Sequence, residues 1–281
     1  MAVTSEQVKL LREKTGAGMM DCKKALEESN GDFEKAIEYL RKKGAATAQK
    51  RADRSTKEGI VVARVDENNT LGVILEVNCE TDFVARSKDF VDFANSTAEL
   101  ISVKKPENLT ALLDLKNSDN ISISQYLNDL MAKIGEKIEV RRYKILKSNN
   151  GYISSYTHMG SKIGVLVEFE GDPQKAELVG RDIAMQIAAM NPQFISRDQV
   201  SKDIIEREIE IYKTQARNEG KPEQVLEKIA NGRLEKYFQE MCLYEQVFIK
   251  DPGKTIKDVI TEAGGNLKLK QFERYQLGEI K

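Results

Sequence analysis

The stretch Leu71-Gly72-Val73-Ile74-Leu75-Glu76-Val77-Asn78 decides the fold, because it is written a second time as Ile163-Gly164-Val165-Leu166-Val167-Glu168-Phe169-Glu170. Gly72 stands against Gly164 and Glu76 against Glu168. A second echo lies downstream of each: Ile134-Gly135-Glu136-Lys137-Ile138-Glu139-Val140 is matched by Ala263-Gly264-Gly265-Asn266-Leu267-Lys268-Leu269. Repetition at this scale predicts a core of two related halves.

Around these stretches the hydrophobic period is 2. Ile60 to Val65 and Leu71 to Cys79 flank Asp66-Glu67-Asn68-Asn69, which predicts an antiparallel hairpin. Phe90, Phe93, Ala94, Thr97 and Ile101 then mark a helix, a shorter helix follows at about 121–134, and Ile138 to Tyr143 returns to strand alternation. The expected class is α+β, with one antiparallel sheet-and-helix subdomain at 59–147 and its relative at 148–198 plus 251–281. The second half carries roughly 37 additional residues between its echoes. They lie in 199–250, where Ile205, Ile209, Tyr212 and Ala216 form one helical stripe. After the stop Asn218-Glu219-Gly220-Lys221-Pro222, a second stripe runs through Leu226, Ala230, Leu234, Tyr237, Met241, Tyr244 and Phe248. This is an inserted antiparallel helical hairpin, a coiled-coil arm projecting on the order of 25 Å to contact a second copy or another protein.

The first 44 residues read as three short helices. Ser5 is expected to cap the first, which carries Val8, Leu11 and Thr15; Gly16-Ala17-Gly18 breaks it. The second runs from Met19 to Ser29 and buries Cys22, Ala25 and Leu26. Asp32 caps the third, whose stripe is Phe33, Ala36, Ile37 and Leu40, and Gly44 ends it. Met19 and Met20 either plug this small core or face a partner, to whose irregular surface methionine adapts. Residues 45–58 are small, basic and without a core stripe, and read as a linker. Their Lys50, Arg51, Arg54 and Lys57 read as a solvated charge run.

Composition excludes more than it asserts. The 281 residues hold 44 Lys+Arg and 45 Asp+Glu for a net charge of −1, so no nucleic-acid partner is expected. A single histidine, His158, rules out a multi-histidine metal site, and the three distant cysteines, Cys22, Cys79 and Cys242, suit a reducing compartment. The N-terminus lacks a basic segment followed by an apolar one and no stretch is long enough to span a bilayer, so a cytoplasmic location and no membrane partner are expected. Gly253-Lys254-Thr255 lacks the upstream glycine of a phosphate-binding loop, and Thr255 reads instead as the cap of the last helix. No catalytic constellation emerges: His158 in its loop reads as a contact or packing residue, and neither enzymatic activity nor a cofactor is expected.

One loop differs in kind. In Asn78-Cys79-Glu80-Thr81-Asp82-Phe83-Val84-Ala85-Arg86 a strong strand stops before a helix starts. Either Thr81 or Asp82 caps the helix with Phe83 tucked inward as a staple, or Phe83 protrudes as a rigid wedge beside the Asp82 carboxylate.

Leu11-Arg12-Glu13-Lys14-Thr15-Gly16-Ala17-Gly18-Met19-Met20-Asp21-Cys22-Lys23-Lys24-Ala25-Leu26, with Glu76-Val77-Asn78-Cys79-Glu80-Thr81-Asp82-Phe83-Val84-Ala85, resembles the bacterial translation elongation factor Ts family. The resemblance covers essentially the whole chain. It implies a guanine-nucleotide exchange factor for elongation factor Tu, binding its GDP-bound and nucleotide-free forms, and a ubiquitin-associated-like fold for residues 1–44. It implies that Arg12, Met19 and Met20 dock on the GTPase domain, and that Thr81, Asp82, Phe83 and Val84 dislocate Mg²⁺ there, with Phe83 inserted between helices. It also implies that Ile134 and Gly135 make a second contact on that domain, and His158 one to the partner's last β-domain. Longer members continue into a further C-terminal helix, whereas this sequence stops at Leu277-Gly278-Glu279-Ile280-Lys281, so contacts made by that helix are expected to be missing. Homodimerisation is left open, and a coiled-coil scaffold or RNA-binding factor without exchange activity is the alternative function.

Overall fold

The echoed stretch Leu71–Asn78 serves two different cores, one on each of its faces. The computed structural model describes residues 3–279 of the chain; the last two residues of the C-terminal stretch quoted above lie outside them. Its elements in order are α1 (Ser5–Thr15), α2 (Met19–Glu28), α3 (Phe33–Lys50), β1 (Glu58–Val65), β2 (Leu71–Cys79), α4 (Asp82–Ala85), α5 (Lys88–Lys104), α6 (Leu109–Asp114), α7 (Ile123–Ile134), β3 (Ile138–Lys147), β4 (Gly151–Thr157) and β5 (Ile163–Glu170). The chain continues with α8 (Pro173–Met190), α9 (Lys202–Asn218), α10 (Glu223–Met241), β6 (Val247–Phe248), β7 (Asp251–Thr255), α11 (Ile256–Ala263) and β8 (Lys268–Gln276). The chain is α+β. One antiparallel sheet has the order β1-β2-β3, and a second has the order β4-β5-β8. The two echoed stretches are thus the two central strands.

The repeat in sequence is a pseudo-two-fold in space. Val73, Leu75, Val77 and Cys79 point to Phe90, Phe93, Ala94 and Ile101 on α5, and Val165, Val167 and Phe169 do the same toward α8 and α11. The opposite faces meet each other: Val61, Ile74 and Leu146 pack on their counterparts Ile153, Leu166 and Tyr275. Close approach is set by the two echoed glycines. A methyl on Gly72 would lie 2.9 Å from Ile153 Cγ2, and one on Gly164 would lie 2.6 Å from Val61 Cγ1. Both central strands also slip register at the same point, after Glu76 against β3 and after Glu168 against β8. These two glutamates are fully buried and paired: Arg142 Nε donates to Glu76 at 2.6 Å, and Lys270 Nζ and Gln271 Nε2 donate to Glu168 at 3.1 and 2.6 Å.

Several sequence expectations are corrected. The first helix is capped by Thr4, not Ser5, whose side chain accepts from Gln7 N–H in a capping box. Gly44 does not end α3, which runs on to Lys50 and so takes in the start of the segment read as linker. A methyl there would lie 3.4 Å from Ala132 Cβ and 3.6 Å from Asn128 O, so the glycine lets α3 lie close on α7. α6 was missed, its six residues being too short for a period. In the arm, α9 and α10 share the seam Ile205, Ile209, Leu234, Tyr237 and Phe238, but α10 ends at Met241. Tyr244 and Phe248, read as its continuation, instead pack into the second core with β5 and α8. Thr255 does cap α11, in a capping box with Asp258. Among the described residues no helix is long and apolar enough to cross a membrane.

Candidate functional site

The loop after β2 is held from below and presents one side chain outward. Thr81, in extended conformation, caps the four-residue α4 by accepting from Val84 N–H at 3.4 Å. Val84 packs on the first core and Ala85 is buried, so this short turn of helix is anchored along one side. Phe83 on the other side is 83% exposed. Of the two accounts open in the sequence, the inward staple does not occur. Asp82 carries an ion pair with Arg86 at 2.9 Å.

Two acids fix the base of this loop. Glu136, the residue after the α7 cap, accepts from Thr81 Oγ1 at 2.8 Å and from Thr81 N–H at 3.0 Å. Glu80 accepts from Lys137 N–H at 2.6 Å, and its carboxyl is held below the ordinary glutamate value first by that bond and then by Arg54. Lys137 Nζ in turn donates to Ala52 O and Arg54 O at 2.6 and 3.0 Å. Beneath them the Cys79 thiol donates to Thr81 O, and burial, with Glu136 and Glu58 nearby, pushes its pKa up to about 12. It is therefore protonated and inert at neutral pH.

The turn Ile134-Gly135 is consequently tied to the Thr81–Val84 loop. Gly135 is in the left-handed region at φ 89° and caps α7, while Ile134 is half-buried against the first core. Sequence reasoning selected both segments but missed Glu136, Glu80 and Lys137, which join them. An acid directly after a helix-ending glycine, and another directly before Thr81, were the available signals.

The remaining selected residues lie on two other surfaces. Arg12 is exposed in the last turn of α1, and Met19 and Met20 open α2 with 54% and 74% of their surface exposed, so they do not plug the small core. Gly16, which ends α1 at φ 69°, lies against the Lys133 side chain of α7, and Lys133 is paired with Asp89 of α5 at 2.8 Å. The loop between α1 and α2 thus abuts the end of α7. His158 sits in the β4–β5 turn with Nδ1 hydrogen-bonded to Tyr156 Oη at 2.8 Å. A cleft of about 630 Å³ floored by β1 separates this turn from α4: Asp82, Ala85 and Arg86 line one wall, and Thr157, Gly160, Ser161 and Lys162 the other.

No group of three or more His, Cys, Asp or Glu side chains among the described residues is arranged to hold a metal ion. What these surfaces offer is shape: an exposed aromatic on a braced loop, exposed methionines and a cleft between two turns.

Comparison with known proteins gives a consistent result. The profile of the family described as Elongation factor TS matches residues 80–279. An Elongation factor Ts of Chloroherpeton thalassium is 47% identical over 285 residues, covering 99% of each chain. One of Prosthecochloris aestuarii is 48% identical over 284 residues, covering 98% of this chain and 99% of the relative. One of Clostridium botulinum is 45% identical over 283 residues, covering 99% of this chain and 93% of the relative. With nearly its whole length matched by relatives at 45–48% identity, the chain belongs to the elongation factor Ts family.

Proposed function

We propose that the chain is the guanine-nucleotide exchange factor for elongation factor Tu, acting in the cytoplasm during translation elongation and making or breaking no covalent bond itself. Family membership supports the partner, and the observation that carries the mechanism is Phe83, apolar, 83% exposed and mounted on a loop whose base is braced. Ordering costs on binding are reduced when the inserted group is already held in place.

In this reading α1, α2 and α3 form a ubiquitin-associated-like module that docks on the GTPase domain through Arg12, Met19 and Met20. Phe83 enters between two helices of that domain with Asp82 beside it. Mg²⁺ bridges the bound nucleotide's phosphates to the GTPase and requires near-ideal octahedral geometry, so displacing the elements that hold it weakens ion and GDP together. Ile134 and Gly135 press on the same domain from the adjoining turn, and His158 meets the partner's last β-domain. Linkage requires that nucleotide weaken the complex as much as the complex weakens nucleotide, which allows GTP to release the factor.

The test is direct. Elongation factor Tu loaded with fluorescent GDP is mixed with this protein and chased with excess GDP. Accelerated loss of fluorescence is expected; an unchanged release rate refutes the assignment.

A further inference from the structure

The three-helix module meets the rest of the protein at two glycines. A methyl on Gly16, between α1 and α2, would lie 3.0 Å from Lys133 Cδ of α7, and one on Gly44, inside α3, would lie 3.4 Å from Ala132 Cβ of the same helix. Beside these two close approaches lies a cavity of about 530 Å³, bounded by the module on one side and by α7 and the residue Ile121 ahead of it on the other. A volume of that order suits a small molecule, and the junction of two packed units is a common place for such a site.

The lining divides into an apolar wall and a charged rim. Ala17, Ile37 and Leu40 come from the edge of the module's own core, and Ile121 and Ala132 line the far side. Ala17, Ile37, Leu40 and Ile121 are all only half-buried, so folding leaves part of this apolar surface in water.

The rim is positive. Five cations, Lys14, Arg41, Lys43, Arg51 and Lys133, stand against two acids, Asp21 and Asp129. Both acids are already engaged: Lys43 Nζ pairs with Asp21 at 2.6 Å, while Asp129 accepts from Gln125 Nε2 at 2.8 Å and is stabilised by the Arg41 charge. Lys133 is paired with Asp89. Arg51 and Lys14 differ from these. Arg51 Nη1 donates to a neutral acceptor, Met131 O, at 3.2 Å, and Lys14 forms no ion pair among the described residues. The cavity thus joins uncovered apolar surface to an excess of positive charge, which draws an anion.

We propose that this cavity binds a small amphipathic anion, with its apolar body against Ile37, Leu40 and Ile121 and its phosphate or carboxylate head drawn by Lys14 and Arg51. Bound there, the ligand touches the module and α7 together and clamps one to the other. The site stands apart from the partner assigned above, so the failure of either leaves the other in place.

The experiment titrates the full-length protein by calorimetry with octyl phosphate, octanoate, octan-1-ol and inorganic phosphate. At least one of the two amphipathic anions is expected to bind with a Kd below about 1 mM, and the tighter of them identifies the head group. Octan-1-ol and inorganic phosphate, each carrying half of the recognised chemistry, should bind at least about tenfold more weakly. Lys14→Glu and Ile121→Asp, neither at a fully buried position, should raise Kd at least about fivefold. Lys9→Glu reverses the same charge on an exposed position of α1 outside the cavity and should stay within about twofold of wild type. Absence of binding by both anions below about 1 mM overturns the site. So does octan-1-ol binding as tightly as the anions, or Lys9→Glu costing as much as Lys14→Glu.

Discussion

Glu136 receives both donors of Thr81, the hydroxyl at 2.8 Å on one oxygen and the backbone N–H at 3.0 Å on the other. The turn that ends α7 thereby sets where the Phe83 loop starts. Hydrogen bonds to a charged acceptor are worth about 1.5–3 kcal/mol each when shielded, and less at a half-buried site. Glu136→Ala is expected to cost about 1–2 kcal/mol of stability in urea unfolding and, with the loop unbraced, to slow GDP release about tenfold. Glu136→Gln keeps one acceptor oxygen and should fall between. A Glu136→Ala protein that exchanges at the wild-type rate removes the bracing role.

Gly72 and Gly164 should be intolerant of even a methyl, and unequally so. The added carbon would meet Ile153 Cγ2 at 2.9 Å in the first case and Val61 Cγ1 at 2.6 Å in the second. Overpacking of this kind typically costs about 1–3 kcal/mol. Urea midpoints of Gly72→Ala and Gly164→Ala should both fall, with Gly164→Ala lower; a midpoint unchanged in either contradicts the face-to-face packing.

Acid sensitivity follows from Glu80. Its folded pKa lies below the ordinary glutamate value of 4.5, first through the Lys137 N–H bond and then through Arg54. A depressed carboxyl pKa adds stability that is present above the ordinary value and is lost as pH falls through the folded one. Glu80→Gln should therefore melt below wild type at pH 7, with the gap narrowing as pH falls below 4.5. A gap that stays constant down to pH 3 is the contrary result.

The thiols should be silent. All three cysteines are buried, and Cys79 titrates only near 12. Iodoacetamide at pH 8 should label none of them in the native protein over a period that labels all three in urea, as read by intact mass. Rapid native labelling of Cys79 contradicts the burial of the loop base.

The halves of the fold were legible because duplication repeats a pattern, and Gly72 and Gly164 stand out as glycines inside apolar runs. Their purpose was not legible, since it depends on which face meets the other sheet. Thr81 was recognisable as a cap, but capping fits a buried or an exposed Phe83 equally well, so only the packing of Val84 and Ala85 decides between them. Glu136 was passed over because 55 residues separate it from Thr81, and no local pattern reports a bond across that distance. Gly44 misled for the opposite reason: a helix-ending residue in local terms, it is retained inside α3 by the close passage of α7.

Removing the ring of Phe83 tests the central claim most directly. Because the side chain is 83% exposed, Phe83→Ala should leave stability within about 0.5 kcal/mol of wild type. In a stopped-flow chase of fluorescent GDP from elongation factor Tu, release should then slow by at least about tenfold. A folded Phe83→Ala protein that releases GDP at the wild-type rate would contradict the wedge.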